Sequence, residues 1–385
     1  MDEGMSGRSG SLAPKALFYV QHLLGIGHIA RASRIASAMK DDGFDVTVIT
    51  GGLPVPGFPA DGISVIALPP VVASNAGFSG LADSQGQPAN ETFLSCRRDR
   101  LLEIFHRLKP DMVIIEAFPF GRRQMRFELI PLIEAIESSL PRPKLITSVR
   151  DIVQQRTKPG RNEETVALVR AHFDCVLVHG DENFVPLSCS FPLAEEIADR
   201  IVHTGLVAAP PAPAITQKFD IVISAGGGAV GAALVHSALG AARQHARHKW
   251  CVIAGPNLPE TDFQKLLQDS PPNVDVVRFR NDFPSLLRGA EVSVSQAGYN
   301  TVCDLLQAGC RAILVPFTRG GETEQAVRAQ RLEEMGLAIT ISEDCLDVQV
   351  LSDAISAALE NPRPPMTALD LDGARKTACY LRSLR

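Results

Sequence analysis

Short apolar runs alternate with amphipathic stretches along most of the chain, and this alternation predicts the fold. The runs are rich in Val, Ile and Leu, which is typical of strands buried on both faces of a parallel sheet. In the first half, the predicted strands are residues 16–20, 44–50, 63–68, 112–116, 144–149 and 175–179. The predicted helices between them are residues 29–40, 92–108, 123–138 and 162–172. Regular alternation of strand and helix predicts a doubly wound sheet.

The pattern breaks once and then restarts. Residues 206–214 are rich in Pro and Ala, and proline cannot donate a ladder hydrogen bond, so this stretch predicts a stiff interdomain linker. Beyond it, the predicted strands are residues 219–224, 249–254, 274–277, 291–294, 311–315 and 338–341. The predicted fold class is therefore α/β, with two doubly wound Rossmann-like domains and a cleft between them.

Domain boundaries follow from the same pattern. The predicted parts are a flexible tail (1–14), an N-terminal domain (15–206), a Pro-rich linker (207–217), a C-terminal domain (218–365) and a helix (366–385) that packs back on the N-terminal domain. Residues 71–90 have no clear period, and a loop of that length in a compact domain is usually functional. We expect a flap beside a substrate there, with simple disorder as the alternative.

Length and composition limit the class of function. With 385 residues, of which 45% are apolar, the chain can bury two cores. A net charge of −5 argues against nucleic-acid binding, which needs a basic surface. The eight cysteines form no CxxC pair, so we expect neither a zinc site nor disulfides, and free thiols fit a reducing cytoplasm. The polar N-terminus does not resemble a signal peptide, and no apolar run predicts a membrane span.

The first candidate motif is Gly25-Ile-Gly27-His28, followed by Arg31. It comes directly after the first strand and opens the first helix. Glycine lets the backbone approach a ligand, and an imidazole at the mouth of the cleft can take a proton near pH 7. The alternative is a glycine-rich turn whose histidine only caps the helix. A dinucleotide fingerprint is discounted because the third glycine is missing.

Two turns of the second half are candidates for binding a diphosphate. Gly226, Gly227 and Gly228 follow a strand and expose N–H groups, although a tight turn would need only one glycine. No Gly-Lys-Ser/Thr follows, so this is not a Walker loop. The other turn opens a helix with small and polar residues: Ser295, Gln296, Ala297, Gly298, Tyr299, Asn300 and Thr301. Its alternative is an ordinary helix start capped by Asn300 or Thr301.

Acidic and amide side chains near these turns are candidates for binding a sugar. Asp304 lies one helical turn beyond the second turn, within reach of a hydroxyl group, but a first-turn acid also suits the helix dipole. Glu324 and Gln325 open the helix after strand 311–315 and can accept hydrogen bonds from sugar hydroxyls. The alternative is that Glu324 is simply an acidic residue in the first turn of a helix, where such residues are common.

Charged residues also end two strands of the first half. Glu116 ends one strand, and Arg150 with Asp151 ends the next, so they are candidate bases or acceptor ligands. An ion pair across the sheet edge is the alternative. Several arginines predict either a cationic patch or solvated helix faces, of which we favour the second: Arg97, Arg98, Arg100, Arg122, Arg123 and Arg126.

Taken together, these residues resemble the GT-B glycosyltransferases of the MurG-like group, glycosyltransferase family 28. The likeness is closer in the second half, over roughly residues 219–359. It implies that residues 226–228 and 295–301 bind the donor diphosphate, that Asp304 binds the ribose, and that Glu324 and Gln325 bind the donor sugar. The family usually has Glu where Asp304 stands, and often Gln where Glu324 stands.

The resemblance also implies roles outside the diphosphate turns. By position, Phe279 and Arg280 would contact the nucleotide base. The Gly25–Gly27–His28 loop looks like the family's acceptor-side loop, with Arg31 and Arg150 near the acceptor. His28, Glu116 or Asp151 would be the catalytic base. Other parts of the first half do not match MurG, which implies a different acceptor.

The expected function is transfer of a sugar from a nucleotide diphosphate-sugar, most simply a UDP-sugar, to an unknown acceptor, with inversion and without a metal or cofactor. A nucleotide-sugar hydrolase is the first alternative, because residues 25–31 are similar to the GxGHxxR loop of the UDP-sugar hydrolase of pseudaminic acid synthesis. A non-catalytic nucleotide-sugar-binding subunit is the second, and a 2-epimerase matches less well. We expect a cytoplasmic protein and no nucleic-acid partner, and leave peripheral membrane contact and oligomeric state open.

Overall fold

The computed structural model describes residues 13–384, except Leu24 and the segments 74–79, 156–157, 214–216, 227–230, 256–257, 319–321 and 365–367. Most of the predicted tail, together with Gly227 and Gly228, lies outside the described residues. The strands are β1 (Lys15–Val20), β2 (Asp45–Thr50), β3 (Ser64–Ala67), β4 (Val72–Ala73), β5 (Leu81–Ala82), β6 (Met112–Glu116), β7 (Lys144–Arg150), β8 (Cys175–His179), β9 (Ile201–His203), β10 (Ile221–Ser224), β11 (Trp250–Ile253), β12 (Val274–Val277), β13 (Val292–Ser295), β14 (Arg311–Leu314) and β15 (Ala338–Thr340).

Helices connect most of these strands. They are α1 (Gly27–Asp41), α2 (Glu91–Leu108), α3 (Arg126–Glu137), α4 (Arg161–His172), α5 (Ala232–Gln244), α6 (Glu260–Asp269), α7 (Phe283–Gly289), α8 (Tyr299–Ala308), α9 (Glu324–Glu334), α10 (Val348–Glu360) and α11 (Gly373–Ser383). Two of them begin with a side-chain cap: Asn90 accepts from Phe93 N at 2.9 Å, and Asp347 accepts from Val350 N at 2.8 Å. Within the described residues, no helix is long and apolar enough to cross a membrane.

Two parallel sheets organise the described chain, and both had been predicted. The first has the strand order β3-β2-β1-β6-β7-β8-β9, and the second has the order β12-β11-β10-β13-β14-β15. In the first sheet the direction of winding reverses between β1 and β6, and in the second between β10 and β13. Open α/β sheets bind ligands outside the carboxyl ends of strands at such reversals. The glycine-rich loop after β1 and the turns after β10 and β13 therefore lie where a ligand site is expected.

The two halves share one hydrophobic core cluster. One separate cluster lies under α2 and α3, and another lies under α5 and α10. The third contains Phe18 and Ile114 of the first sheet together with Leu286 and Val302 of the second half. Leu206 and Val207 are fully buried in this shared cluster, so the predicted linker begins as interdomain core. The domain boundaries drawn from the sequence stay a prediction.

Some elements differ from the prediction. Strand β9 and the hairpin of β4 and β5 were not predicted, because two or three residues are too few to show a period. The C-terminal helix begins at Gly373, several residues later than predicted. It packs against α1, where Arg382 Nε lies 2.6 Å from Asp42 Oδ2.

Arg97 is a clear correction, since we had favoured a solvated helix face for it. Its side chain is fully buried and donates to Glu128 Oε2 at 2.7 Å, to Gln21 Oε1 at 2.6 Å and to Gly51 O at 3.0 Å. A buried guanidinium requires such partners, because an unpaired charge is costly to desolvate. Arg97 therefore fixes loops at the strand ends, and it does not belong to a surface patch.

Candidate active site

The candidate site lies where the carboxyl ends of the first sheet's strands face the start of α8. Asn300, on α8, donates through Nδ2 to Gly27 O at 3.1 Å. A Cβ atom on Gly27 would meet Asn300 Nδ2 at 3.4 Å, which is an ordinary van der Waals contact, so the two segments lie against each other at this point. A Cβ atom on Gly25 would meet nothing within 4 Å, so the space beside that residue is open. The two loops singled out in the sequence thus face each other across one cleft.

His28 and Glu116 form a hydrogen-bonded pair at this cleft. His28 lies in the first turn of α1, and its Nδ1 is 3.0 Å from Glu116 Oε1. The His28 side chain is 19% exposed, whereas Glu116, at the end of β6, is fully buried. Glu116 also accepts from the Arg31 guanidinium and, at 2.8 Å, from Ser148 Oγ. The histidine therefore reaches the cleft, and the carboxylate holds it from behind.

Burial and charge keep His28 neutral and Glu116 ionised. Burial and then the neighbouring Arg122 guanidinium lower the pKa of His28 to about 3, although Glu116 acts in the opposite direction. Burial alone would raise the pKa of Glu116, but Arg31 and the His28 hydrogen bond outweigh it and lower that pKa to about 2. The expectation that this imidazole takes a proton near pH 7 is therefore not met in the free protein, because burial and Arg122 disfavour the imidazolium. As a general base, His28 would depend on the ionised Glu116 to stabilise the imidazolium during proton transfer.

Tyr299 belongs to the junction between the two halves. Its hydroxyl donates to His179 O at 2.8 Å and accepts from Val207 N at 2.8 Å. Its ring lies between two guanidinium groups, with Arg31 Cζ at 5.1 Å and Arg328 Cζ at 5.7 Å from the ring centroid. The sequence placed Tyr299 at the diphosphate, but its side chain is buried in this junction.

Asp151 is held by Arg328, which the sequence reasoning missed. Arg328 donates to both carboxylate oxygens of Asp151, at 2.7 and 2.8 Å, and to Ala297 O at 2.7 Å. Both side chains of this ion pair are fully buried. One sequence signal could have found Arg328: Glu324 lies four residues before it on α9, a spacing at which opposite charges pair on a helix. In the structure Glu324 accepts from Arg328 at 2.8 Å.

The two acids expected to bind the donor are paired with arginines of the first half. Arg34 Nη2 lies 3.1 Å from Asp304 Oδ1, and Arg34 also donates to Val207 O at 3.0 Å. Burial raises the pKa of Asp304, although Arg34 acts in the opposite direction. Glu324 is ion-paired with Arg150, the residue expected near the acceptor. Both acids therefore lie at the interface between the halves.

The start of α8 offers backbone donors to an anion. Its N-cap is Gly298, and among the described residues no side chain caps it, so the alternative of a cap by Asn300 or Thr301 is not seen. The first N–H groups of a helix have no partner within the helix, and the helix dipole favours negative charge there. Asn300 Oδ1 is buried and has no hydrogen-bond partner in the described part of the chain.

The turn after β10 lies against the turn after β13. Gly226 has a φ of +75°, a backbone conformation that favours glycine, and a Cβ atom there would lie 2.5 Å from Gln296 Oε1, so the Gln296 side chain reaches this turn. Ser295 is buried, with its Oγ 3.0 Å from Ser293 Oγ, and so faces the core.

The remaining predicted contacts are placed less centrally. Gln325 Oε1 accepts from Phe317 N at 3.1 Å, which fixes the loop before α9. Phe279 is 49% exposed after β12, at the edge of the second sheet. The guanidinium of Arg280 pairs with Asp282 at 2.7 and 2.8 Å. In the described residues, no group of three His, Cys, Asp or Glu side chains could hold a metal ion.

Comparison with known proteins identifies the second half. Residues 221–376 match the glycosyltransferase family 28 C-terminal domain. The chain is 28% identical over 164 residues to the UDP-N-acetylglucosamine–N-acetylmuramyl-(pentapeptide) pyrophosphoryl-undecaprenol N-acetylglucosamine transferase of Gloeobacter violaceus, covering 40% of this chain and 46% of that protein. It is 27% identical over 201 residues to the protein of the same name from Methylorubrum extorquens, covering 49% of this chain and 54% of that protein. The chain thus spans about half the length of these curated relatives.

Solved structures extend the likeness in fold to the whole chain. The calicheamicin glycosyltransferase CalG4 superposes with a TM-score of 0.61 at 16% identity, covering 96% of this chain and 94% of that one. MurG of Acinetobacter baumannii superposes with a TM-score of 0.56 at 17% identity, covering 96% and 99%. These findings confirm the predicted resemblance and fold class. The second half of the chain therefore carries a glycosyltransferase family 28 C-terminal domain, and the whole chain has the GT-B fold and resembles the MurG-like glycosyltransferases.

Proposed function

We propose that this protein transfers a sugar from a nucleotide diphosphate-sugar to a hydroxyl group of an acceptor. The observation that carries the proposal is the His28–Glu116 pair, which lies where the first turn of α1 meets the start of α8. The names of the curated relatives include a UDP-sugar donor, so a UDP-sugar is the first donor to test.

The donor diphosphate would bind at the start of α8. Backbone N–H groups of residues 299–301 and the turn at Gly226 would contact its oxygens, and the α8 dipole would stabilise the charge of the departing group. These groups can stabilise a leaving diphosphate without a bound metal, which supports a metal-independent reaction. Asn300 Oδ1 supplies a free acceptor for a donor hydroxyl or amide.

His28 is our choice among the three predicted bases. Glu116 is fully buried and holds His28, Arg31 and Ser148, so we assign it to orienting the histidine. Asp151 is fully buried against Arg328, so we assign it to the junction between the halves. With Nδ1 bound to Glu116, His28 keeps Nε2 for the acceptor hydroxyl.

The chemical step is then a single displacement. His28 Nε2 takes the proton of the acceptor hydroxyl as the acceptor oxygen bonds to the anomeric carbon. The bond from that carbon to the diphosphate breaks on the opposite face, so configuration inverts and the nucleoside diphosphate leaves with the electron pair. Glu116 stays ionised and stabilises the imidazolium that forms.

The arginine contacts at Asp304 and Glu324 imply a conformational step. Asp304 Oδ1 and Glu324 Oε2 would have all their acceptor positions for the ribose and the sugar only once Arg34 and Arg150 give up their present contacts. Since these arginines belong to the first half, a small opening between the halves would remove both contacts, while Glu324 would keep its bond from Arg328. Closure over the donor would then exclude water.

The test is a panel of UDP-, GDP-, ADP- and dTDP-sugars, with melting temperature and released sugar measured together. A donor that binds the native state raises the melting temperature. A shift with one donor and little free sugar supports the transferase, and stoichiometric sugar release identifies a hydrolase in which His28 activates water. Binding without turnover, even when candidate acceptors are added, identifies a binding subunit. No shift with any donor would contradict the proposal.

A further inference from the structure

A chain of buried side chains continues behind Glu116, across the carboxyl ends of neighbouring strands. Ser148 Oγ lies 2.8 Å from Glu116 Oε2 and 2.9 Å from His179 Nε2. His179 Nδ1 in turn lies 2.8 Å from Thr204 Oγ1. Glu116 on β6 pairs with Ser148 on β7, His179 ends β8 opposite Arg150 of β7, and Thr204 follows β9. All four side chains are buried.

The positions of the hydrogens in this chain follow from Glu116. An ionised carboxylate only accepts, so Ser148 must donate its single hydroxyl hydrogen to Glu116. Ser148 can then only accept from His179, which places that histidine's hydrogen on Nε2. Burial and the nearby Arg31 lower the pKa of His179 to about 3, so its ring is neutral and carries one hydrogen. Nδ1 of His179 therefore accepts from the Thr204 hydroxyl.

The same argument applies on the cleft side of Glu116. Arg31 donates to Oε1, and a guanidinium has no acceptor. The neutral His28 ring, whose Nδ1 is 3.0 Å from the same oxygen, must also donate. Its single hydrogen is therefore on Nδ1, and Nε2 carries the lone pair.

We propose that Ser148, His179 and Thr204 form a one-directional hydrogen-bond relay that positions Glu116, the carboxylate that fixes the hydrogen of the base His28 on Nδ1. The catalytic role of the relay rests on the proposed function. The positions of its hydrogens can be measured in the free protein, without donor or acceptor. Tyr299 supports the relay from the second half, because its hydroxyl donates to the backbone carbonyl of His179. Ser148, His179 and Thr204 are thus positioning residues, which do not contact the substrate.

The variant Glu116→Gln reverses the relay and gives the test. Arg31 keeps the amide oxygen of the new side chain on its own side, so the amide NH₂ must face Ser148. Ser148 would then accept from the amide and donate to His179 Nε2. His179 would move its hydrogen to Nδ1 and donate to Thr204, whose hydroxyl can turn to Val178 O, 3.5 Å away. His28 would keep its hydrogen on Nδ1.

Long-range ¹H–¹⁵N spectra of the histidine-labelled full chain report both tautomers at pH 7. The expected result is hydrogen on Nε2 of His179 in the wild type and on Nδ1 in Glu116→Gln. Glu137→Gln is the matched control, because Glu137 lies 3.4 Å from His172 Nδ1 at the surface; it should leave His179 unchanged. Hydrogen on Nδ1 of His179 in the wild type, or no change in Glu116→Gln, would overturn the relay.

A second variant covers the case in which Glu116→Gln does not fold. Ser148→Ala cuts the relay, so an N–H on Nε2 of His179 would be left buried without an acceptor. We expect hydrogen to shift to Nδ1 of His179, and persistence on Nε2 would count against the relay. If the tautomers behave as expected and no nucleotide-sugar binds, the relay stands and the proposed function fails.

Turnover separates a positioning role from a merely structural one. Once a donor is known, Ser148→Ala should lower kcat by roughly 10-fold or more and change the donor KM little, since only the base is affected. A rise in KM with kcat unchanged would instead mean that Ser148 shapes the donor site and does not position the base.

Discussion

The two sides of the cleft are built differently. On the first sheet's side, His28 and Glu116 are fixed by buried hydrogen bonds to Arg31 and Ser148. On the second half's side, the start of α8 offers backbone N–H groups, and the acidic side chains Asp304 and Glu324 are occupied by arginines of the other half. The side proposed for proton transfer is preorganised, whereas the acids of the proposed donor side are engaged by arginines of the other half.

The largest effect should come from the preorganised side. His28→Ala should lower turnover with the cognate donor by about 10² to 10⁴-fold, because it removes the general base, while donor binding stays intact. His172→Ala is the matched control, since His172 also pairs with a glutamate but lies at the surface. Initial rates and melting shifts would be measured together. Full activity of His28→Ala would remove His28 from the mechanism.

The junction that joins the two sides should dominate stability. Arg328→Met leaves Asp151 and Glu324 buried beside an apolar side chain, and breaking a buried ion pair in this way costs about 3 to 5 kcal/mol of the free energy of unfolding. This loss of free energy of unfolding is measured by urea unfolding at neutral pH. The control Arg375→Met removes an exposed pair with Asp372 and should leave the free energy of unfolding nearly unchanged. A loss below about 1 kcal/mol for Arg328→Met would show that the junction does not hold the halves together.

The relay should make the protein acid-sensitive. The folded pKa of His179 is about 3, below its ordinary value of 6.5, so between these pH values the unfolded state binds more protons. The stabilisation is therefore complete above pH 6.5 and is lost as pH falls toward 3, by up to about 1.4 kcal/mol per pH unit. His179→Gln should reduce this slope in urea unfolding at about pH 4 to 7, and His172→Gln should not. An unchanged slope in His179→Gln would contradict the assignment.

The smallest effect concerns the arginine contacts on the donor side. Arg150→Gln frees one oxygen of Glu324, which keeps Arg328 as a partner, so no unpaired charge is created. Partly exposed ion pairs contribute about 0.2 to 1 kcal/mol, so donor affinity should rise up to about fivefold in calorimetric titration. Arg123→Gln, which affects an exposed pair with Glu164, is the control. Weaker binding in Arg150→Gln would mean that Arg150 itself contacts the donor.

The sequence predicted the fold well, because buried parallel strands leave a strong local signal. Both sheets and the turns after β1, β10 and β13 followed from apolar runs and their flanking glycines. Strand β9, with three residues, had no periodicity to detect. Helix α11 starts late because the residues before it bond to the segment at Leu206: Leu206 N donates to Asp370 O at 2.7 Å, and Gly373 N donates to Leu206 O at 3.0 Å.

The residues of the candidate site were named from the sequence and stay a prediction as a functional site, and their pairing was not foreseen. His28 and Glu116 were both candidates, yet their contact joins residues 88 positions apart, which no local pattern reveals. Arg328 and Arg97 look like ordinary helix arginines, because burial of a charge depends on partners from distant segments. Tyr299 was placed at the diphosphate because its neighbours suited that role, and only the three-dimensional structure shows its side chain in the junction.

The most direct test of the account is a crystal structure with an inert analogue of the cognate donor. The account predicts the diphosphate at the start of α8, against residues 299–301. It also predicts the anomeric carbon within about 6 Å of His28 Nε2, which leaves room for an acceptor oxygen between them. A diphosphate bound away from α8, or an anomeric carbon turned away from His28, would contradict it.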